Sequence, residues 1–229
     1  MDAPLQIDVV TPIPGMLDGF IGESIIGRAV NASAVRIRRI NPRDFTSDVH
    51  RTVDDRPYGG GPGMVMKPEP IVDAVESVQT PDSKVLLMSP RGRLFRQADA
   101  RAWAEERHLI LVAGHYEGVD ERVRELVVND EISIGDYVLT NGVVAAAVII
   151  DAVVRLLPGV LGAGPEAHQS DSFSRDLLEY PQYTRPPAFR GLEVPEILRS
   201  GNHEAVARWR AEMARQHTLR QRPDLLKDV

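Results

Sequence analysis

Three short segments hold the residues best suited to chemistry: 88–92 (MSPRG), 114–118 (GHYEG) and 134–139 (IGDYVL). Each follows an apolar run and mixes glycine with polar or aromatic side chains. The carboxyl ends of parallel strands are where α/β proteins hold their ligands. Glu117 and Asp136 are acids beside glycines, and either one alone reads first as a turn former or helix cap. Tyr116 and Tyr137, taken singly, read as packing residues. His115 is placed where a ligand role is conceivable, although an isolated histidine is usually structural and the six histidines show no metal-binding spacing. Two further residues stand apart. Arg155 is the only basic residue of a long apolar helical stretch; it reads equally as a snorkelling arginine that favours the helix dipole and as a clamp for an anion or carbonyl. Asp171, in QSDSFS, is by composition a loop acid.

Several chemistries are excluded. There is no GxGxxG and no GxxxxGK[ST], so the dinucleotide and P-loop fingerprints fail. The run YGGGPG, 58–63, offers only a weak anion nest. The absence of cysteine rules out disulfides, thiolate metal sites and a cysteine nucleophile, and suits a reducing cytosol.

The elements that must position these residues follow from hydrophobic pattern. LQIDVV and VRIRRI alternate apolar and polar and predict strands, the second with Val35 and Ile37 inward and its arginines outward. KVLLMSP and LILVAG are continuous apolar runs, and EISIGDYVL follows a helical DERVRELVV. Strands without alternation, separated by helical patterns, predict an α/β fold with a parallel sheet covered on both faces. The segment 54–66 (DDRPYGGGPGMVM) reads as a loop, and 143–157 as a helix stopped by Pro158. That helix is apolar all round, which predicts burial on more than one side, with a second copy of the chain as one cover. From Gly162 the texture becomes small and polar, and 202–217 predicts an amphipathic helix capped by Asn202, with Val206, Trp209 and Met213 on one face.

At 229 residues, 43% hydrophobic and 26% charged, the chain has the composition of one large or two modest globular domains. The N-terminus lacks a basic n-region, and the longest apolar stretch is too short to span a bilayer. The net charge of −6 disfavours a general nucleic-acid binder. Yet residues 199–222 hold six Arg against two Glu, and Arg36, Arg38, Arg39 and Arg43 form a second basic patch, so local phosphate binding stays open.

Read together, DDRPYGGGPGMVM, SPRGRLF, GHYEGVDER, IGDYVLTNG, RLLPGVLG, DSFS, YPQYTRPPAFRG, VPEILRSGNHEAVARWR and RQRPDLL resemble, in order and over essentially the whole chain, the bacterial tRNA (guanine-N1)-methyltransferase family. The resemblance implies a SPOUT-type α/β fold with a trefoil knot at about 85–142 inside a domain 1–162, a flexible interdomain loop 163–175, and a helical tRNA-binding domain 176–229. It implies a cytoplasmic homodimer that methylates N1 of the guanosine 3′ of the anticodon, with S-adenosylmethionine in the knot and magnesium as a candidate aid to activity. On the matching positions, Ser89, Pro90, Gly114, Tyr116, Glu117, Ile134, Gly135, Asp136, Tyr137, Val138, Leu139 and Gly142 would contact the cofactor. Asp171 would be the general base and Arg155 the cation. Departures from the common pattern are His115 for Arg, Asn141-Gly142-Val143-Val144 where many members read Gly-Gly-Glu, and Ser170 for an acid. A knotted methyltransferase with another RNA target, or an RNA-binding homologue without turnover, are the competing expectations.

Overall fold

A computed structural model describes residues 4–162, 171–173 and 176–226. The chain divides into two compact units, Met1–Gly162 and Ala163–Val229. The expected interdomain loop 163–175 falls largely outside the described residues.

The first unit is built on five parallel strands: β1 (Leu5–Val10), β2 (Val35–Ile40), β5 (Ser83–Leu94), β6 (His108–Val112) and β7 (Asp130–Ser133), in the order β2-β1-β6-β5-β7. Between β2 and β5 lie the two-residue strands β3 (Asp54–Asp55) and β4 (Val65–Met66), which pair antiparallel. The segment expected as plain loop is thus pinned at both ends. Two-residue strands leave no periodicity to read, and their pairing depends on partners ten residues away.

Alternation returns once the two faces are separated. Leu86 and Met88 of β5 and Leu109 and Leu111 of β6 point into one cluster, whereas Val85, Leu87, Ile110 and Val112 point into another. Both faces are therefore buried, which is why the strands read as unbroken apolar runs. The first cluster is covered by α2 (Ser24–Asn31), α4 (Gln97–Ala104) and α6 (Val143–Val154), the second by α3 (Pro68–Glu76) and α5 (Glu121–Val127). The short α1 (Asp18–Gly22) precedes α2, and the break between them lies at Glu23, where the backbone is extended, and Ser24, whose φ is +53°.

LQIDVV does not alternate in the manner of a half-exposed strand. Asp8 is fully buried, and the Arg38 guanidinium donates to its carboxylate at 2.6 and 2.5 Å. An arginine expected to point outward on the edge strand β2 is therefore turned onto its neighbour's buried acid. His108 lies 2.7 Å from the same carboxylate, and Ser83 Oγ is 2.6 Å from the other ring nitrogen of His108.

The apolar helix α6 ends at Val154 rather than 157, with residues 155–157 continuing as tighter turns. Seven of its residues are buried, but Val144 (44% exposed), Val148 (45%) and Asp151 form an open stripe at helical spacing.

Among the described residues of the second unit, α7 (His203–Gln221) is the one long element, and Asn202 caps it by accepting from the Ala205 amide at 3.0 Å. Val206, Trp209 and Met213 are half-buried on its inner face. Ahead of it, β8 (Ala188–Phe189) and β9 (Leu192–Glu193) form a tight hairpin around Arg190 and Gly191, both at positive φ.

Candidate active site at the strand ends

The carboxyl ends of β5, β6 and β7 open into a cavity of ≈ 340 Å³. Its size is typical of pockets that hold small ligands and cofactors. Three loops form the walls, and the way each is held explains the glycines.

After Met88, β5 leaves the ladder, and it re-pairs with β7 only at Arg93. Residues 89–92 therefore bow out beside the cavity. Gly92 closes this excursion where a Cβ would run into the main chain of Glu131 and Ile132. After β6, Tyr116 adopts φ +61°, its amide donating to His115 Nδ1 at 2.7 Å. That bond requires an unprotonated Nδ1. The Glu117 amide donates to Met64 O at 3.0 Å, tying this loop to the segment before β4.

The third loop follows β7. Ser133 Oγ donates to Gly135 O (3.0 Å) and accepts from the Gly135 amide (3.2 Å), and the Tyr137 hydroxyl donates to Ile134 O (3.2 Å). The loop then crosses the end of β6. There the Gly142 amide donates to Gly114 O at 2.8 Å, and a Cβ on Gly142 would stand 2.9 Å from Ala113 Cα. Only glycine allows that approach. Asn141 Oδ1 accepts from the Val143 amide at 3.0 Å, which fixes the turn that leads into α6 at its N-cap, Gly142.

Eleven of the twelve expected cofactor contacts line this cavity: Ser89, Pro90, Gly114, Tyr116, Glu117, Ile134, Gly135, Tyr137, Val138, Leu139 and Gly142. Asp136 does not. Arg155 is half-buried one residue beyond α6 and is not among the lining residues; Asp171, also half-buried, belongs to the second unit.

Sequence reasoning missed Arg91 and Glu131, both in the lining. Arg91 lies 3.0 Å from Glu121 and 3.4 Å from Glu131. Glu131 is 18% exposed in its side chain, and its Oε1 is buried without a hydrogen bond. No local signal marked either one: β7 reads Asp-Glu-Ile-Ser, and its two adjacent acids look alike in the sequence.

Chemically, the cavity offers flat apolar surface from Leu87, Ile134 and Leu139, main-chain donors and acceptors along 134–142, and the carboxylates of Glu117 and Glu131. This set fits a ligand that joins a heteroaromatic base to an amino-acid tail. Among the described residues, no group of three or more His, Asp or Glu side chains is arranged to hold a metal ion. Among the same residues, no helix is long and apolar enough to cross a membrane.

Comparison with known proteins agrees with the geometry. The family model described as tRNA (Guanine-1)-methyltransferase TrmD matches residues 5–228. A tRNA (guanine-N(1)-)-methyltransferase of Moorella thermoacetica is 56% identical over 229 residues, spanning 98% of this chain and 91% of that protein. Enzymes of the same name from Geobacillus kaustophilus (53% identical, 98% of this chain, 92% of that protein) and Geobacter metallireducens (56%, 97% and 91%) are similarly close. With that identity sustained from β1 through the C-terminal helix, the chain belongs to the tRNA (guanine-N1)-methyltransferase family.

Proposed function

We propose that this chain transfers a methyl group from S-adenosylmethionine to N1 of the guanosine immediately 3′ of the anticodon in tRNA. The family match over residues 5–228 carries this reading. The strand-end cavity supports it with walls of the right size and chemistry. When bound, S-adenosylmethionine supplies an electrophilic methyl on a sulfonium and leaves as a neutral thioether.

The protein's own residues have two tasks. Guanine N1 carries a proton and is a poor nucleophile until it is lost. The Asp171 carboxylate takes that proton as N1 bonds to the methyl carbon. As the proton leaves, negative charge builds on O6, and the Arg155 guanidinium stabilises it until the methyl transfer consumes it. The target base leaves its stack to reach the cavity.

Further parts of the reading go with it. The reading includes a trefoil knot, whose threading departs from the usual behaviour of chains, and the hydrogen bond that draws 142 against 114 supports it. A second copy covers the Val144–Val148 stripe and the loop around Val138, which is 85% exposed in the single chain. In that dimer Asp171 reaches the cavity of the other subunit. The domain 1–162 holds the cofactor, and 176–229 grips tRNA in the cytoplasm.

The test is a methyl-transfer assay with labelled S-adenosylmethionine and a tRNA transcript carrying guanosines at the third anticodon position and its 3′ neighbour. Wild type should label the 3′ neighbour alone. Asp171→Ala should lower kcat by about 10²–10⁴-fold with cofactor binding intact. Labelling at another nucleotide would reassign the target, and full activity of Asp171→Ala would discard the base.

A further inference from the structure

The second unit holds a separate cavity of ≈ 520 Å³, and its lining has a marked chemical bias. Arg185, Arg199 and Arg210 contribute three guanidinium groups, Tyr180 and Tyr183 two aromatic rings, and no carboxylate lines it. The strand-end cavity, by contrast, mixes Arg91 with Glu117 and Glu131. Arg199 lies 4.0 Å from Glu193, which is not among the lining residues.

The rings are held in place. Arg210 stacks over the Tyr180 ring at 4.9 Å, and Tyr183 leans on Trp209 of α7 with ring centroids 6.5 Å apart. Tyr183 nonetheless remains 48% exposed. A supported ring with an open face, beside clustered arginines, suits a flat π-system that carries an anion. Bases stack on such rings and on guanidinium planes, and phosphates take the remaining donors.

We propose that this cavity receives one unstacked nucleotide of the tRNA, other than the methylated guanosine, with its base against Tyr183 and its phosphate between Arg185 and Arg199. The inference rests on the reading of the chain as a tRNA enzyme but concerns a different site. The nucleotide is unpaired, because a base inside a helix has no free face to offer.

Equilibrium binding of full-length protein to tRNA, read by fluorescence anisotropy at fixed salt, tests it. Tyr183→Ala should raise Kd by roughly 5- to 100-fold, the effect of losing one stacked base. Tyr183→Phe, which keeps the ring, should bind as wild type. Single abasic substitutions at the unpaired tRNA nucleotides should then reveal one position that weakens wild type but is silent in Tyr183→Ala. Wild-type affinity in Tyr183→Ala, or the lack of any such coupled position, overturns the proposal. If Tyr183→Ala melts abnormally, Arg185→Gln keeps the test alive: its salt dependence should flatten by about 0.7–0.9 in log–log slope, and an unchanged slope overturns the proposal. Because these measurements read binding alone, a failed methyl-transfer assay with intact coupling would sink the activity and leave the nucleotide site standing.

Discussion

The residue that best separates structure from catalysis is Asp8. Ser83, His108 and Asp8 are linked by contacts of 2.6 and 2.7 Å, the order of a hydrolytic triad. However, Ser83 and His108 begin their strands, at the opposite end of the sheet from the cavity. The cluster is a clamp. Burial by itself pushes the Asp8 carboxyl up, but hydrogen bonds from Arg38, Gln6 and His108 outweigh it and hold the group below its ordinary value of 3.8. The folded state therefore binds a proton at Asp8 less readily than the unfolded chain. Its stabilisation is present in full above about pH 4 and fades as pH falls through the folded value. Asp8→Asn should cost about 2 kcal/mol at neutral pH, less than the full penalty of a buried pair because the Arg38 side chain is 35% exposed. Thermal melts of both proteins across pH 2 to 7 should converge at the acid end; parallel curves would remove the clamp. If Arg155 has the role proposed for it, Arg155→Ala should lower kcat about 10²–10³-fold, with part recovered by Arg155→Lys, in the methyl-transfer assay at saturating tRNA.

At the scale of elements, the loops around the cavity depend on close backbone passage more than on side chains. Gly142→Ala places a methyl group where only 2.9 Å separates it from Ala113 Cα. It should weaken S-adenosylmethionine binding at least tenfold by calorimetry, and unchanged affinity would show that the crossing can spread. The parallel core was legible because KVLLMSP and LILVAG carry short unbroken apolar runs between helical patterns, as expected of a sheet covered on both faces. What escaped the sequence arose from pairing between distant segments. β3 and β4 are two residues each, and β5 runs on to Leu94 because it rejoins β7 after an excursion whose length no local pattern records. Arg91 and Glu131 meet through the same β5–β7 register, so neither could be assigned to the cavity from its own neighbourhood. Asp136 was expected there with its neighbours, yet alternate residues of a tight turn face different ways, and it stands outside the lining. A charge on α6 offers a separate test: Val148→Glu should convert the proposed dimer to monomer by light scattering, because it replaces one of the two exposed valines of the stripe with a second acid beside Asp151.

Across the whole molecule, charge is divided unevenly. The second unit has ten basic and ten acidic side chains, so the net −6 resides entirely in the first. A polyanion meets repulsion from one unit and a near-neutral surface rich in arginine from the other. Affinity for tRNA should therefore fall steeply with salt, by about 100-fold between 50 and 200 mM if four to five phosphates are contacted, while S-adenosylmethionine affinity should barely move. Equal salt sensitivity of both would remove this division of labour. The strand-end cavity has a last consequence, for inhibition. Eight of its lining residues come from the single loop 134–142, which is drawn against Gly114 by the Gly142 hydrogen bond. A compound seated against this loop touches a segment whose path is tied at Gly142, so resistance by moving the backbone must break the crossing that shapes the site.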